Sequence, residues 1–272
     1  MQRFSASLPE MAVSHWRNRS LLKALIKREI IGRYRGSFFG ILWSFFNPLF
    51  MLAIYTFVFS EILKARWGAN GNSKAEFALI LFAGLMPFNL FAEIISRSPN
   101  LIISNVNYVK KVVFPLEILP SVAIGSALFH LFISLSVWLL AYMLFYGTPQ
   151  ATVLSFPFLI APFCLFSLGL GWILASLGVF IRDVSQFVGL IVTALMFLSP
   201  IFYPASSLPE TYRALMYLNP LTPMIEYSRD VLFWGKQPDF VDFCIYTLVS
   251  VTIAWIGFVW FQKTRKGFAD VL

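Results

Sequence analysis

The residues able to do acid–base, nucleophilic or metal chemistry are few in this chain and poorly spaced for it. There are two histidines, two cysteines and thirteen acidic residues in 272. His130 stands in the middle of an apolar run, where an ionisable side chain marks a functional position by default. As a lone histidine it reads as a packing residue with satisfied hydrogen bonds rather than a proton relay. Glu61, Glu93, Glu117, Arg182 and Asp183 fall near the ends of apolar runs, within reach of water. Cys164 and Cys244 lie in apolar segments without a partner at metal-ligand spacing, so they read as buried free thiols, and neither a disulfide nor a zinc site is expected. The motifs GxxxxGK[ST], HExxH, CxxC and GxSxG are absent, so ATP hydrolysis by a phosphate loop is not expected of this chain. A proton-driven carrier needs a buried chain or pair of titratable groups, and a membrane glycosyltransferase needs carboxylates or a metal. Neither pattern is visible, and no apolar run carries a regular polar face. Energy for uphill movement would have to come from a partner.

The elements that position these residues are set by composition. Hydrophobic residues make up 58% of the chain and charged residues 12%, against about half and about a quarter in soluble domains. This is the composition of an all-α integral membrane protein with no room for a sizeable soluble domain. The N-terminus lacks a short apolar core followed by a cleavage site, so no cleaved signal peptide is expected. Six runs approach the roughly 20 apolar residues of a helical span: Phe38–Leu63, Ala75–Ile95, Phe114–Tyr146, Phe156–Ile181, Val184–Leu198 and Phe240–Phe261. The fifth is short, and the third is long enough to tilt. An even count puts both termini on one side. The loops of that side hold fifteen of the 21 Lys and Arg, which makes it cytoplasmic. The net charge of +8 therefore points to membrane orientation and not to nucleic acid.

Three segments between the spans carry further pattern. In SLLKALIKREIIGRYRG, Leu22, Leu25, Ile26 and Ile30 share one helical face, and Lys23, Lys27 and Arg28 lie elsewhere, which predicts an amphipathic helix in the membrane interface over 20–36. In SRSPNLIISNVNYVKKVVFP, Ser98 before Pro99 reads as a capped helix start. An apolar face of Leu101, Ile102 and Tyr108 ending at Lys110 and Lys111 fits either a protein docking surface or an ordinary interfacial turn. Residues 198–223, LSPIFYPASSLPETYRALMYLNPLTP, hold five prolines. They are too broken to cross as one helix and too apolar for an ordinary loop.

The run LIKREIIGRYRGSFFGILWSFFNPLFMLAIYTFVFSEI, with VKKVVFPLEILP, FIRDV, SPIFYP and NPLTPMIEYSR following in order, resembles ABC-transporter permeases of the polysaccharide-export group, in particular O-antigen export permeases of the Wzm type. The resemblance implies a homodimer of six-helix subunits, exporting a lipid-linked polysaccharide across the inner membrane, with two copies of a separate subunit that binds ATP and Mg. It makes 96–113 the coupling region, with Pro99, Asn100, Leu101, Ile102, Tyr108, Lys110 and Lys111 facing the ATPase. It makes 199–226 a pair of re-entrant periplasmic helices, since irregular backbone at membrane depth is tolerated only where protein or a water-filled cavity covers it. Arg33, Tyr34 and Arg35 would mark the way in from the interface. Sugar rings pack on aromatic faces, so Trp43, Phe46, Tyr55, Phe88 and Phe91 are candidates to line the channel. The competing readings are a teichoic-acid or capsule permease, a small-molecule efflux permease, an enzyme acting on polyprenyl-linked sugars, and a passive channel.

Overall fold

The computed structural model describes residues 6–58, 67, 74–110 and 114–272. Among the described residues every regular element is helical, as expected where only intra-segment hydrogen bonds can satisfy the backbone. Lys111, Glu61 and the end of the first expected span lie outside the described residues.

The chain opens with α1 (Leu8–Arg17), which the apolar-run reading passes over. Its signal is local: the Ser7 hydroxyl accepts from the Glu10 N–H at 3.3 Å and Pro9 occupies the first turn, an S-x-x-E start. Next, α2 (Arg19–Tyr34) carries the expected apolar stripe. Leu25 is buried, and Leu22 and Ile26 pack on the core. Ile26 occupies the space beside Gly125, where no β-carbon would fit. Two left-handed glycines, Gly36 and Gly40, turn the chain into α3 (Trp43–Tyr55).

The remaining helices are α4 (Lys74–Arg97), α5 (Val106–Lys110), α6 (Leu119–Tyr146), α7 (Phe156–Phe180), α8 (Val184–Leu198), α9 (Glu210–Tyr217), α10 (Leu221–Arg229), α11 (Phe240–Thr264) and α12 (Phe268–Val271). Among the described residues five helical stretches are long and apolar enough to cross a membrane: Gly40–Val58, Ala75–Asn100, Leu116–Tyr146, Ala151–Phe180 and Phe240–Val271. With 15 residues, α8 reaches only about 22 Å at about 1.5 Å per residue, short of the roughly 30 Å of hydrocarbon.

Burial ranks these helices. In α4's stretch 83% of the apolar window is buried, against 11% for Gly40–Val58, so α4 is the hub and α3 lies outside it. The hub touches α3, α6, α7, α8 and α10. On its far side α7 pairs with α11, where Gly169 and Gly257 bring the two backbones into contact that a β-carbon on either would block. Small residues at such crossings let dispersion contacts replace the hydrophobic drive that lipid lacks.

A buried carboxylate gathers both terminal segments at one end of the bundle. Ser14 donates to Glu117 at 2.7 Å and Arg265 donates to the other oxygen at 2.7 Å. Trp172 donates to the Glu117 carbonyl at 2.8 Å. At the opposite end lie α9 and α10, the two short helices of the proline-rich stretch. A single guanidinium ties the end of α10 to α4 and to the turn after α8. Arg229 donates to the carbonyls of Ile80, Pro200 and Ile201 at 3.3, 2.6 and 2.6 Å, and it lies 4.3 Å from the Trp67 ring centre.

The loop after α4 corrects one expectation. Ser98 does not cap a new helix: its hydroxyl donates back to the Ile94 carbonyl at 2.7 Å, and Ser98–Asn100 continues α4 as a tighter 3-10 turn. Proline's missing N–H is compatible with that continuation because the helix is ending there.

Candidate functional site

Polar side chains from four helices converge beside the hub. On α4, Asn89, Glu93 and Arg97 recur every four residues and so share one face. On α6, His130 and Ser134 do the same. The start of α3 contributes Ser44 and Asn47, and the end of α2 contributes Arg33 and Tyr34. Together with Tyr55 and Phe82, most of these groups enclose a cavity of about 320 Å³. Two sequence expectations fail here. A span does carry a regular polar face, and a pair of titratable groups does exist inside the bundle. Neither could be read from runs of residues, because the pair is assembled across helices: His130 Nδ1 meets Glu93 Oε2 at 2.8 Å, 37 positions apart in sequence.

Hydrogen-bond chemistry orders the cluster. Arginine has only donors, and Arg33 meets Glu93 Oε1 at 2.8 Å. The His130 Nδ1–H donates to the other carboxylate oxygen, which leaves Nε2 to accept from the Tyr34 hydroxyl at 3.0 Å. Burial pushes the Tyr34 phenol up from its ordinary range, so it remains a donor at neutral pH. Arg97 reaches Glu93 at 3.5 Å and also pairs with Glu29 of α2. Two guanidiniums thus face two carboxylates, and the end of α2 is tied to α4 and α6. Glu93 does not sit at a watery helix end: its side chain is 17% exposed, and the cavity is beside it.

The sequence-derived sites are only partly brought together. Arg33 and Tyr34 join the cluster, whereas Arg35 is exposed and does not line the cavity. Of the five aromatics, Trp43 is exposed on α3 and Phe46 lies partly buried near it, both edge-on to Phe39. Tyr55 forms part of the cavity wall. Phe88 and Phe91 are buried in the core of α4, where Phe91 stacks with Phe163 and Phe166 at 6.1 and 6.4 Å.

In the loop after α4, Ile102 and Pro99 are buried and Leu101 packs on the core, so the apolar face expected to point outward points in. Among the described residues of the loop the exposed ones are Asn100, Ser104, Asn107 and Lys110, a polar surface. Tyr108 stacks flat on Phe114 at 4.2 Å and accepts from Arg28 of α2 at 2.9 Å. The carbonyl of Pro99 rests against Gly178 of α7, which seats the loop on the bundle.

Comparison with known proteins fits this arrangement. Three relatives align over most of their length. An O-antigen export system permease protein, RfbA, of Myxococcus xanthus is 30% identical over 254 residues, covering 93% of this chain and 95% of the relative. The protein of the same name from Klebsiella pneumoniae is 28% identical over 255 residues, with 93% and 95% covered. The polysialic acid transport protein KpsM of Escherichia coli is 25% identical over 252 residues, with 90% and 93% covered. The family model described as ABC-2 type transporter matches residues 20–233, and this chain belongs to that family of multi-pass membrane permeases.

Proposed function

We propose that the chain is the membrane subunit of an ATP-driven exporter that moves a lipid-linked polysaccharide, of the O-antigen kind, across the bacterial inner membrane. The observation that carries this reading is the near full-length similarity to permeases named for O-antigen export. A polar cavity inside apolar helices agrees with it, because a hydroxyl-rich cargo needs hydrogen-bond partners at membrane depth. The second reading, a capsular polymer as cargo, is favoured by the similarity to the polysialic acid transport protein.

In this reading two copies of the chain form the pathway, and two copies of a separate subunit bind and hydrolyse ATP with Mg. The chain crosses six times with both termini cytoplasmic. Support comes from the meeting of both terminal segments at Glu117, which fits an even number of passes, with α8 as the short fifth. The basic loops lie at that end. There α2 lies at the interface, with Arg33, Tyr34 and Arg35 at the way in, and the segment 96–113 receives the ATPase through Asn100, Ser104, Asn107 and Lys110. At the opposite, periplasmic end α9 and α10 dip inward without crossing.

The test is genetic and chemical. Deleting the gene in its own host should abolish the surface polymer and leave lipid-linked polymer inside, and the wild-type chain should restore export. An unchanged surface polymer in the deletion strain would overturn the reading.

A further inference from the structure

Resting on the export reading, the geometry points to a specific occupant for the cavity between α2, α3, α4 and α6: one uncharged sugar unit of the polymer, held by its hydroxyls, and not the phosphate of the lipid carrier.

Charge makes the first distinction. An anion site needs donors or positive charge that are not already committed. Here Arg33 is bonded to Glu93, and Arg97 to Glu93 and Glu29, so each guanidinium has a carboxylate. A phosphate entering the cavity would have to displace Glu93 and then stand beside the freed carboxylate. The cluster repels what its arginines alone would attract.

The uncommitted groups make the second. Among the described residues the side-chain amides of Asn47 and Asn89 have no protein partner, yet both face the cavity. Asn89 is exposed although Leu85–Phe88 before it and Leu90 and Phe91 after it are buried, so the opening in that wall is at the amide itself. Both residues are exposed and line the cavity, so their amides are open to a polar occupant. Each amide offers two N–H donors and an acceptor oxygen, the complement of neighbouring hydroxyls on a sugar ring. Tyr55 and Phe82 supply apolar wall for the ring's C–H face. The volume of about 320 Å³ lies at the small end of the roughly 300–1,000 Å³ range for small-molecule sites. That suits a ring and not a coiled polymer, so the chain would pass unit by unit.

The experiment uses the full chain in lipid nanodiscs and saturation-transfer NMR with glucose, galactose, mannose, rhamnose and N-acetylglucosamine, each offered alone at millimolar concentration. At least one sugar should show transfer, and equimolar inorganic pyrophosphate should not reduce it. The Asn47→Leu/Asn89→Leu double variant should bind about tenfold more weakly, as expected for loss of two or so net hydrogen bonds. Asn89→Ser, which needs no repacking, should fall between. Competition by pyrophosphate, undiminished transfer in the double variant, or no transfer from any sugar would overturn the assignment. The export reading fails separately, if the wild-type chain does not restore surface polymer to the deletion strain.

Discussion

Two of the clusters that hold charge inside this bundle, one at Arg229 and one at Glu93, are built in different ways. Arg229 at the α9–α10 end is 1% exposed, and its guanidinium is satisfied mainly by three backbone carbonyls from α4 and the turn after α8. Those acceptors cannot move without moving helices. The Glu93 cluster, nearer the end where the termini meet, is satisfied by side chains from three helices, and it borders a cavity. The first ties one helix to fixed backbone, and the second ties side chains of three helices to one another beside open space. Position in the sequence does not distinguish them, since both sit in apolar surroundings. What distinguishes them is whether the partner is backbone or side chain, and whether there is space beside it.

The sharpest way to break this comparison is at Arg229. Replacing Arg229 by Met should leave the Pro200 and Ile201 carbonyls without their donors, at a cost of about 1–3 kcal/mol for each. The expected outcome is loss of most folded protein, read as the thermal unfolding midpoint in detergent. Arg229→Lys should recover part of it, because an ammonium lacks the planar fork that reaches several acceptors. A Met variant as stable as wild type would mean that α9 and α10 are held by something else.

Gly84 sharpens the same point. A β-carbon there would lie 2.8 Å from Arg229 Nη2. Gly84→Ala should cost about 1–3 kcal/mol by overpacking. In the Arg229→Met background it should cost far less, because the two residues share one contact. Additive costs would show that Gly84 acts through α4 alone.

At the second cluster the order of effects should reverse, with function more sensitive than stability. Glu93→Gln removes the carboxylate that holds Arg33 and His130, while Glu29 still holds Arg97. Because Arg33 is partly exposed, stability should fall by about 1 kcal/mol at most, whereas export of the surface polymer should drop sharply. If Glu93→Gln instead destabilises as Arg229→Met does, the cluster is scaffold and the contrast between the two regions disappears.

These two regions also differ in how legible they were. Hydropathy alone located the apolar helices, including the shortness of Val184–Leu198, because crossing a bilayer imposes a length and a composition on each segment separately. The prolines of residues 198–223 spoke only against one crossing helix, and the expectation of a helix pair there came from the family resemblance. The Glu93–His130 pair was not legible, since it depends on which faces of α4 and α6 meet, and spacing within one helix carries no record of the other. The stripe Asn89, Glu93, Arg97 was readable at intervals of four but is hidden when polar residues are counted along a run instead of around a helix. The misreading of Ser98 has another cause: Ser–Pro signals a helix start and a helix end alike, and only the hydroxyl's partner, the carbonyl of Ile94, separates them.

The smallest expected effect tests whether the cluster's hydrogen bonds run in the order assigned. Tyr34→Phe removes the hydroxyl donated to His130 Nε2 and keeps the ring, so the loss should be about 0.5–1.5 kcal/mol. Its pH dependence has a defined sign. Burial raises the Tyr34 phenol in the folded state, so both folded and unfolded chains hold the proton below about pH 10, the ordinary phenol value. Above it the unfolded chain releases the proton first, which favours unfolding. The stability advantage of wild type over Tyr34→Phe should therefore be constant below about pH 10 and shrink as pH rises through the folded value. An advantage that grows with pH would mean that the phenolate is the favoured form. Arg33 would then pair with the phenolate and not with Glu93, and the commitment of Arg33 to Glu93 on which the neutral-sugar assignment rests would fail.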